Sequence, residues 1–97
     1  MAASLSASAF NICTYNMRGF TSGFAMLQDL SLTHQIIAVQ EHWLDSSNIY
    51  KLGLINSDFR YYGISGMSAC EAKYIRKGRP FGGVAFLWHK HLIILLK

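Results

Sequence analysis

An α/β fold is the class this chain predicts, and two observations predict it. Short apolar runs at residues 10–15 and 36–40 flank a segment whose apolar side chains recur at helical spacing. A third apolar run at 84–88 follows a Gly82-Gly83 pair, the punctuation that opens a strand. Uninterrupted apolar runs such as 92–96 fall far short of the roughly 20 residues a membrane-spanning helix needs, so no membrane partner is expected.

Taken in order, residues 1–9 read as a disordered tail of small residues, with neither the basic start nor the apolar stretch of a secretory leader. Residues 10–15 read as a strand with Phe10 and Ile12 on one face and Cys13 and Tyr15 on the other. Apolar side chains on both faces predict a central strand covered on both sides. Thr21 or Ser22 then caps a helix whose inner side carries Phe24, Leu27 and Leu30 and whose wet side carries Gln28, Asp29 and Ser31. Residues 36–40 form the second strand. Strand, helix and strand make a βαβ unit, so the two strands run parallel and their C-terminal ends share one edge. Asn16 and Glu41 therefore emerge on the same rim, within a few ångströms if the strands are neighbours about 4.8 Å apart. Ligands of open α/β sheets bind at that rim.

Further along, Asp45-Ser46-Ser47 offers a cap for a short helix carrying Ile49, Leu52 and Ile55, weakened by Gly53. Residues 59–64 read as a strand, 65–80 as a polar and basic loop, and 84–88 as another strand. A hairpin through Lys90-His91 is expected to return along 92–96. No repeat and no linker marks a second domain.

Charged residues make up only 14% of the chain, against about 25% for an ordinary soluble domain, while apolar residues reach 52%. Such a balance predicts apolar faces meant to be covered by further protein. The formal net charge of +4 is compatible with a polyanionic partner. Cys13 and Cys70 stand alone, without metal-site spacing, and fit a reducing intracellular compartment, nuclear or cytoplasmic.

Three strings, Tyr15-Asn16-Met17-Arg18-Gly19, Val39-Gln40-Glu41-His42-Trp43-Leu44 and Gly78-Arg79-Pro80-Phe81-Gly82-Gly83-Val84-Ala85, resemble in order and spacing the opening part of the endonuclease/exonuclease/phosphatase (DNase I-like) family. The chain is most similar to the endonuclease domain that accompanies reverse transcriptase in non-LTR retrotransposons. The resemblance implies a four-layer α/β sandwich, of which residues 10–97 are an incomplete N-terminal part with one mixed sheet and flanking helices. It also implies Mg²⁺ or Mn²⁺ as cofactor and DNA as substrate. By motif position, Glu41 is a metal ligand and Asn16 orients the metal site and the scissile phosphate. A hard cation that keeps several waters suits one carboxylate and substrate oxygens. The family's later segments, which supply a water-activating Asp, an Asn and a His, have no counterpart here. The resemblance therefore implies a hydrolytic ancestry in a chain inactive alone, paired with the missing half of the domain or self-associating through a strand edge.

Simpler roles stand beside these. Asn16 closes a turn with Gly19 as readily as it holds a phosphate. Glu41 is either a site residue or a solvated strand terminus, and His42 reads as a packing or loop residue. His89 and His91 read as polar hairpin ends, since no third ligand lies near. Arg18 and the basic residues Lys73, Arg76, Lys77 and Arg79, interleaved with Tyr74 and Phe81, either contact a nucleic-acid backbone or are merely solvated. Competing functions are a non-catalytic nucleic-acid-binding remnant, a functionless gene fragment of a retroelement, and another branch of the family acting on phospholipid or inositol phosphates.

Overall fold

The computed structural model describes residues 11–66 and 82–92. Four strands, β1 (Ile12–Asn16), β2 (Ile36–Gln40), β3 (Phe59–Ile64) and β4 (Val84–His89), form one sheet in the order β1-β2-β4-β3. Helix α1 (Phe20–Ser31) connects β1 to β2, which run parallel with Asn16 opposite Gln40. β4 runs antiparallel between β2 and β3, with Val84 opposite both Gln40 and Ile64. The sheet is thus mixed, as the resemblance implies, and its βαβ opening has the expected parallel pairing.

Alternation along each strand divides the sheet into two unlike faces. Ile37, Val39, Ala85 and Leu87 are buried, and with Cys13, Tyr15 and Tyr61 they form one core with Leu27 of α1, Leu52 of a 3₁₀ segment, Ser46–Leu54, and Ile55 just after it. These side chains are the core. On the opposite face Ile12, Tyr62, Val84 and Phe86 are each more than half exposed, at 62%, 65%, 54% and 52%. Double coverage of β1 is therefore corrected: among the described residues β1 is an edge strand with one face covered. Its apolar pattern on both sides reflects a broad apolar sheet face, not a central position.

Local chemistry corrects the helix boundaries. α1 starts at Phe20 behind Gly19, with no side-chain cap, so neither Thr21 nor Ser22 caps it. Gly19 donates its N–H to the Glu41 carbonyl (2.9 Å) while its own carbonyl accepts from Gly23 (3.0 Å), so the loop after β1 feeds the helix directly. Ser31 is buried rather than wet. Its hydroxyl donates to the Gln28 carbonyl (2.7 Å) and accepts from Asn56 Nδ2 (3.0 Å), which satisfies it inside the core edge. Asp45 precedes the 3₁₀ segment and accepts from Ser47 Oγ and Asn48 Nδ2 through Oδ1 (2.8 and 2.9 Å). The expected hairpin meets a geometric limit, because β2 and β3 occupy both edges of β4. Lys90 is held instead by Asp58, through an ion pair of 3.2 Å. The tail 1–9, Phe10, the basic loop with Cys70, and residues 93–96 of the hairpin lie outside the described residues.

Candidate functional site

Every residue with a positive φ in the described chain lies in one of three loops: Arg18 (52°) and Gly19 (105°) after β1, Glu41 (56°) and Trp43 (61°) after β2, and Gly82 (78°) and Gly83 (91°) before β4. β1 and β2 end where β4 begins, so the three loops meet on one rim of the sheet. Left-handed conformations of non-glycine residues are costly and persist only where surrounding bonds enforce them. The bonds are present. Met17 N–H donates to the Gln40 carbonyl (2.9 Å), Glu41 N–H to Gly83 (2.7 Å) and Trp43 N–H to Gly82 (2.9 Å). Trp43 also packs over Gly19, where a Cβ would stand 2.8 Å from its Cε3.

Within this frame the two polar residues expected to share a rim are in contact. Asn16 donates through Nδ2 to Glu41 Oε2 (3.2 Å), and its Oδ1 accepts from the backbone N–H of Arg18 (3.1 Å). The turn role and the rim role of Asn16 are therefore compatible: one end of the carboxamide closes the turn, the other orients the carboxylate. Asn16 is exposed and Glu41 half-buried, so both oxygens are within reach of a solute. Arg18 is exposed on the same loop. Lys73, Arg76, Lys77 and Arg79 lie outside the described residues.

Hard oxygen donors, one of them charged, fit a divalent cation that retains most of its waters. Among the described residues no group of three or more His, Cys, Asp or Glu side chains converges on one point. Among the described residues no third metal ligand joins His89 and His91. Their rings lie 5.0 Å apart, the His91 N–H donates to His89 Nδ1 (3.2 Å), and His89 packs edge-on against Phe59.

The sequence reading gave no site role to His42, although it is completely buried. Its Nδ1 accepts from Leu44 N–H (2.9 Å), and its Nε2 stands 3.0 Å from the Ile64 carbonyl. Burial pushes its pKa below the ordinary imidazole value, against an opposing effect of bonds to the Ile64 and Val84 backbone. No sequence signal marked it, because the Gly83 that its ring packs on lies about forty residues away in the chain. A depression of about 430 Å³, lined by residues including Ala38, Gln40, Tyr62, Ile64, Phe86 and Trp88, occupies the open sheet face and reaches the rim at Gln40.

No family model and no curated protein matches the sequence. Among solved structures, the 3′ phosphatase NExo from Neisseria, bound to a product DNA hairpin, is similar at a TM-score of 0.58 and 20% identity. The similarity covers 82% of this chain and 27% of that one. What the two share is the fold. The mixed sheet, helices against one face and the other face open, is that of a partial DNase I-like α/β sandwich.

Proposed function

We propose that this chain carries the front portion of a metal-dependent phosphodiesterase domain of the DNase I-like type, with DNA as the ancestral substrate and a retrotransposon-type endonuclease as its nearest kind. The observation that carries the reading is the Asn16–Glu41 contact on a rim of bonded left-handed loops. Glu41 would hold Mg²⁺ or Mn²⁺, with Asn16 beside it. When bound, the cation supplies Lewis-acid polarisation of a phosphoryl oxygen and neutralises charge developing on displacement. Glu41 keeps its carboxylate in place by accepting from Asn16, and Asn16 presents its carboxamide to the phosphate side of the rim. Arg18, exposed on the same loop, adds a positive charge toward a polyanion.

The fold likeness to a DNA-bound phosphatase supports the polyanionic substrate class, as does the charge of +4. The reading includes inactivity of the chain alone. Among the described residues Glu41 is the carboxylate in contact with Asn16 at the rim and is assigned to the cation, and general-base assistance by a further group contributes typically ~10²–10⁴-fold.

Mn²⁺ titration of the full chain and of Glu41→Ala tests the site, with binding expected in the first and lost in the second. Equal binding by both would remove Glu41 from the site. Incubation with supercoiled plasmid and Mg²⁺ tests the inactivity, with no nicking expected above the Glu41→Ala control. Glu41-dependent cleavage would overturn that part.

A further inference from the structure

We propose that His42 is a positioning residue whose buried imidazole locks the loop after β2 so that the Glu41 carboxylate meets Asn16. The inference rests on the reading of Asn16 and Glu41 as a cation and phosphate rim, and it deepens that reading by naming what holds the carboxylate there.

His42 is 0% exposed although it sits in a loop, where polar side chains ordinarily face water. Both ring nitrogens are engaged. Nδ1 accepts from Leu44 N–H, so in the neutral ring the proton resides on Nε2, which donates to the Ile64 carbonyl at 3.0 Å. One ring therefore ties the end of β2 to the last residue of β3, across the start of β4. Its face lies against Gly83, where a Cβ would come within 2.6 Å of Nε2. Gly83 in turn accepts the Glu41 N–H, and Gly82 the Trp43 N–H.

His42 thus stands between two left-handed residues, Glu41 and Trp43, and packs on Gly83, which accepts the Glu41 N–H. Each left-handed L-residue costs roughly 1–2 kcal/mol against right-handed alternatives. The loop keeps both only while the restraints persist. Removal of the ring takes the Nδ1 acceptor from Leu44 N–H and the Nε2 donor from the Ile64 carbonyl, and opens a void over Gly83. Relaxation of Glu41 to negative φ then swings its side chain away from Asn16.

Mn²⁺ affinity of the full chain, read by electron paramagnetic resonance, and the position of the Asn16 side-chain amide signals, read by NMR, test this. The proteins are wild type, Glu41→Ala, His42→Ala, His42→Asn and Phe59→Leu. His42→Ala is expected to weaken Mn²⁺ about 10-fold or more, the effect of losing a partner that orients a ligand. It is also expected to move the Asn16 amide signals to the position they take in Glu41→Ala. His42→Asn keeps an acceptor for Leu44 N–H and should recover part of both losses. Phe59→Leu, a core change at the far rim, should disturb stability and leave both readouts unchanged. Folded His42→Ala with wild-type affinity and wild-type Asn16 signals overturns the proposal while leaving the metal reading intact. If Glu41→Ala binds Mn²⁺ as wild type does, the metal reading fails. The Asn16 signals then decide positioning alone: displaced in His42→Ala they uphold it, unmoved they refute it. Where His42→Ala does not fold, His42→Gln, which reaches Ile64 but offers Leu44 no acceptor, takes its place under the same criteria.

Discussion

Gly83→Ala concentrates several features of the rim in one methyl group. Gly83 has φ of 91°, a conformation that costs an L-residue roughly 1–2 kcal/mol. The added Cβ would also stand 2.6 Å from His42 Nε2 and 2.9 Å from Nδ1. The ring cannot retreat without giving up its bonds to Leu44 and Ile64, so a further penalty of roughly 1–3 kcal/mol for overpacking applies. Together these amount to about 2–5 kcal/mol, a large share of the roughly 5–15 kcal/mol that stabilises a domain. At about 4–8 °C per kcal/mol for a chain of this size, the thermal midpoint should fall by roughly 8–40 °C. Gly53→Ala is the matched control. Gly53 has no positive φ, is exposed, and an added Cβ would stand 3.9 Å from the Tyr61 ring, an ordinary contact. That change should be neutral or stabilising by up to about 1 kcal/mol. Urea unfolding of both variants, followed by circular dichroism, measures the difference. A Gly83→Ala loss no larger than about 0.5 kcal/mol would refute the packed, left-handed geometry argued for the rim.

Other perturbations separate the parts of the fold. Leu87→Ala, in the core of β4, should cost about 2–5 kcal/mol, whereas Phe86→Ala next to it on the open face should cost far less. Equal costs in urea titration would contradict the assignment of the two faces. Lysines at Ile12 and Phe86 should reduce binding of a hydrophobic dye and any concentration-dependent association seen by sedimentation, and unchanged values would mean that this face is not the adhesive one. The imidazoles of His42 and His89 are both held below their ordinary pKa, His42 by burial and His89 by burial with added repulsion from His91 and Lys90, opposed by Asp58. The unfolded chain then binds more protons than the folded one, so their contribution is complete above the unfolded value of about 6.5 and is lost as pH falls below it. The urea midpoint should be level from pH 7.5 to about 6.5 and decline toward 5.5, with a shallower decline in His42→Asn. A constant midpoint across that window would sink the claim.

The sequence alone determined the parallel βαβ opening, since apolar strand runs and a helical repeat between them leave little choice of topology. From that topology followed the shared rim of Asn16 and Glu41, because parallel strands must end on the same edge. Residue patterns did not reveal that β4 separates β2 from β3, nor which face of the sheet stands open among the described residues. Strand order and coverage depend on contacts between residues far apart in the chain, and period-two alternation records only that a face is apolar. Gly19 as the helix boundary escaped the sequence for a related reason, because its N–H is claimed by Glu41 rather than by a nearby cap. His42 shows the same division: one residue from Glu41 in sequence, it acquires its two partners and its burial only when Leu44, Ile64 and Gly83 converge on it in the folded chain.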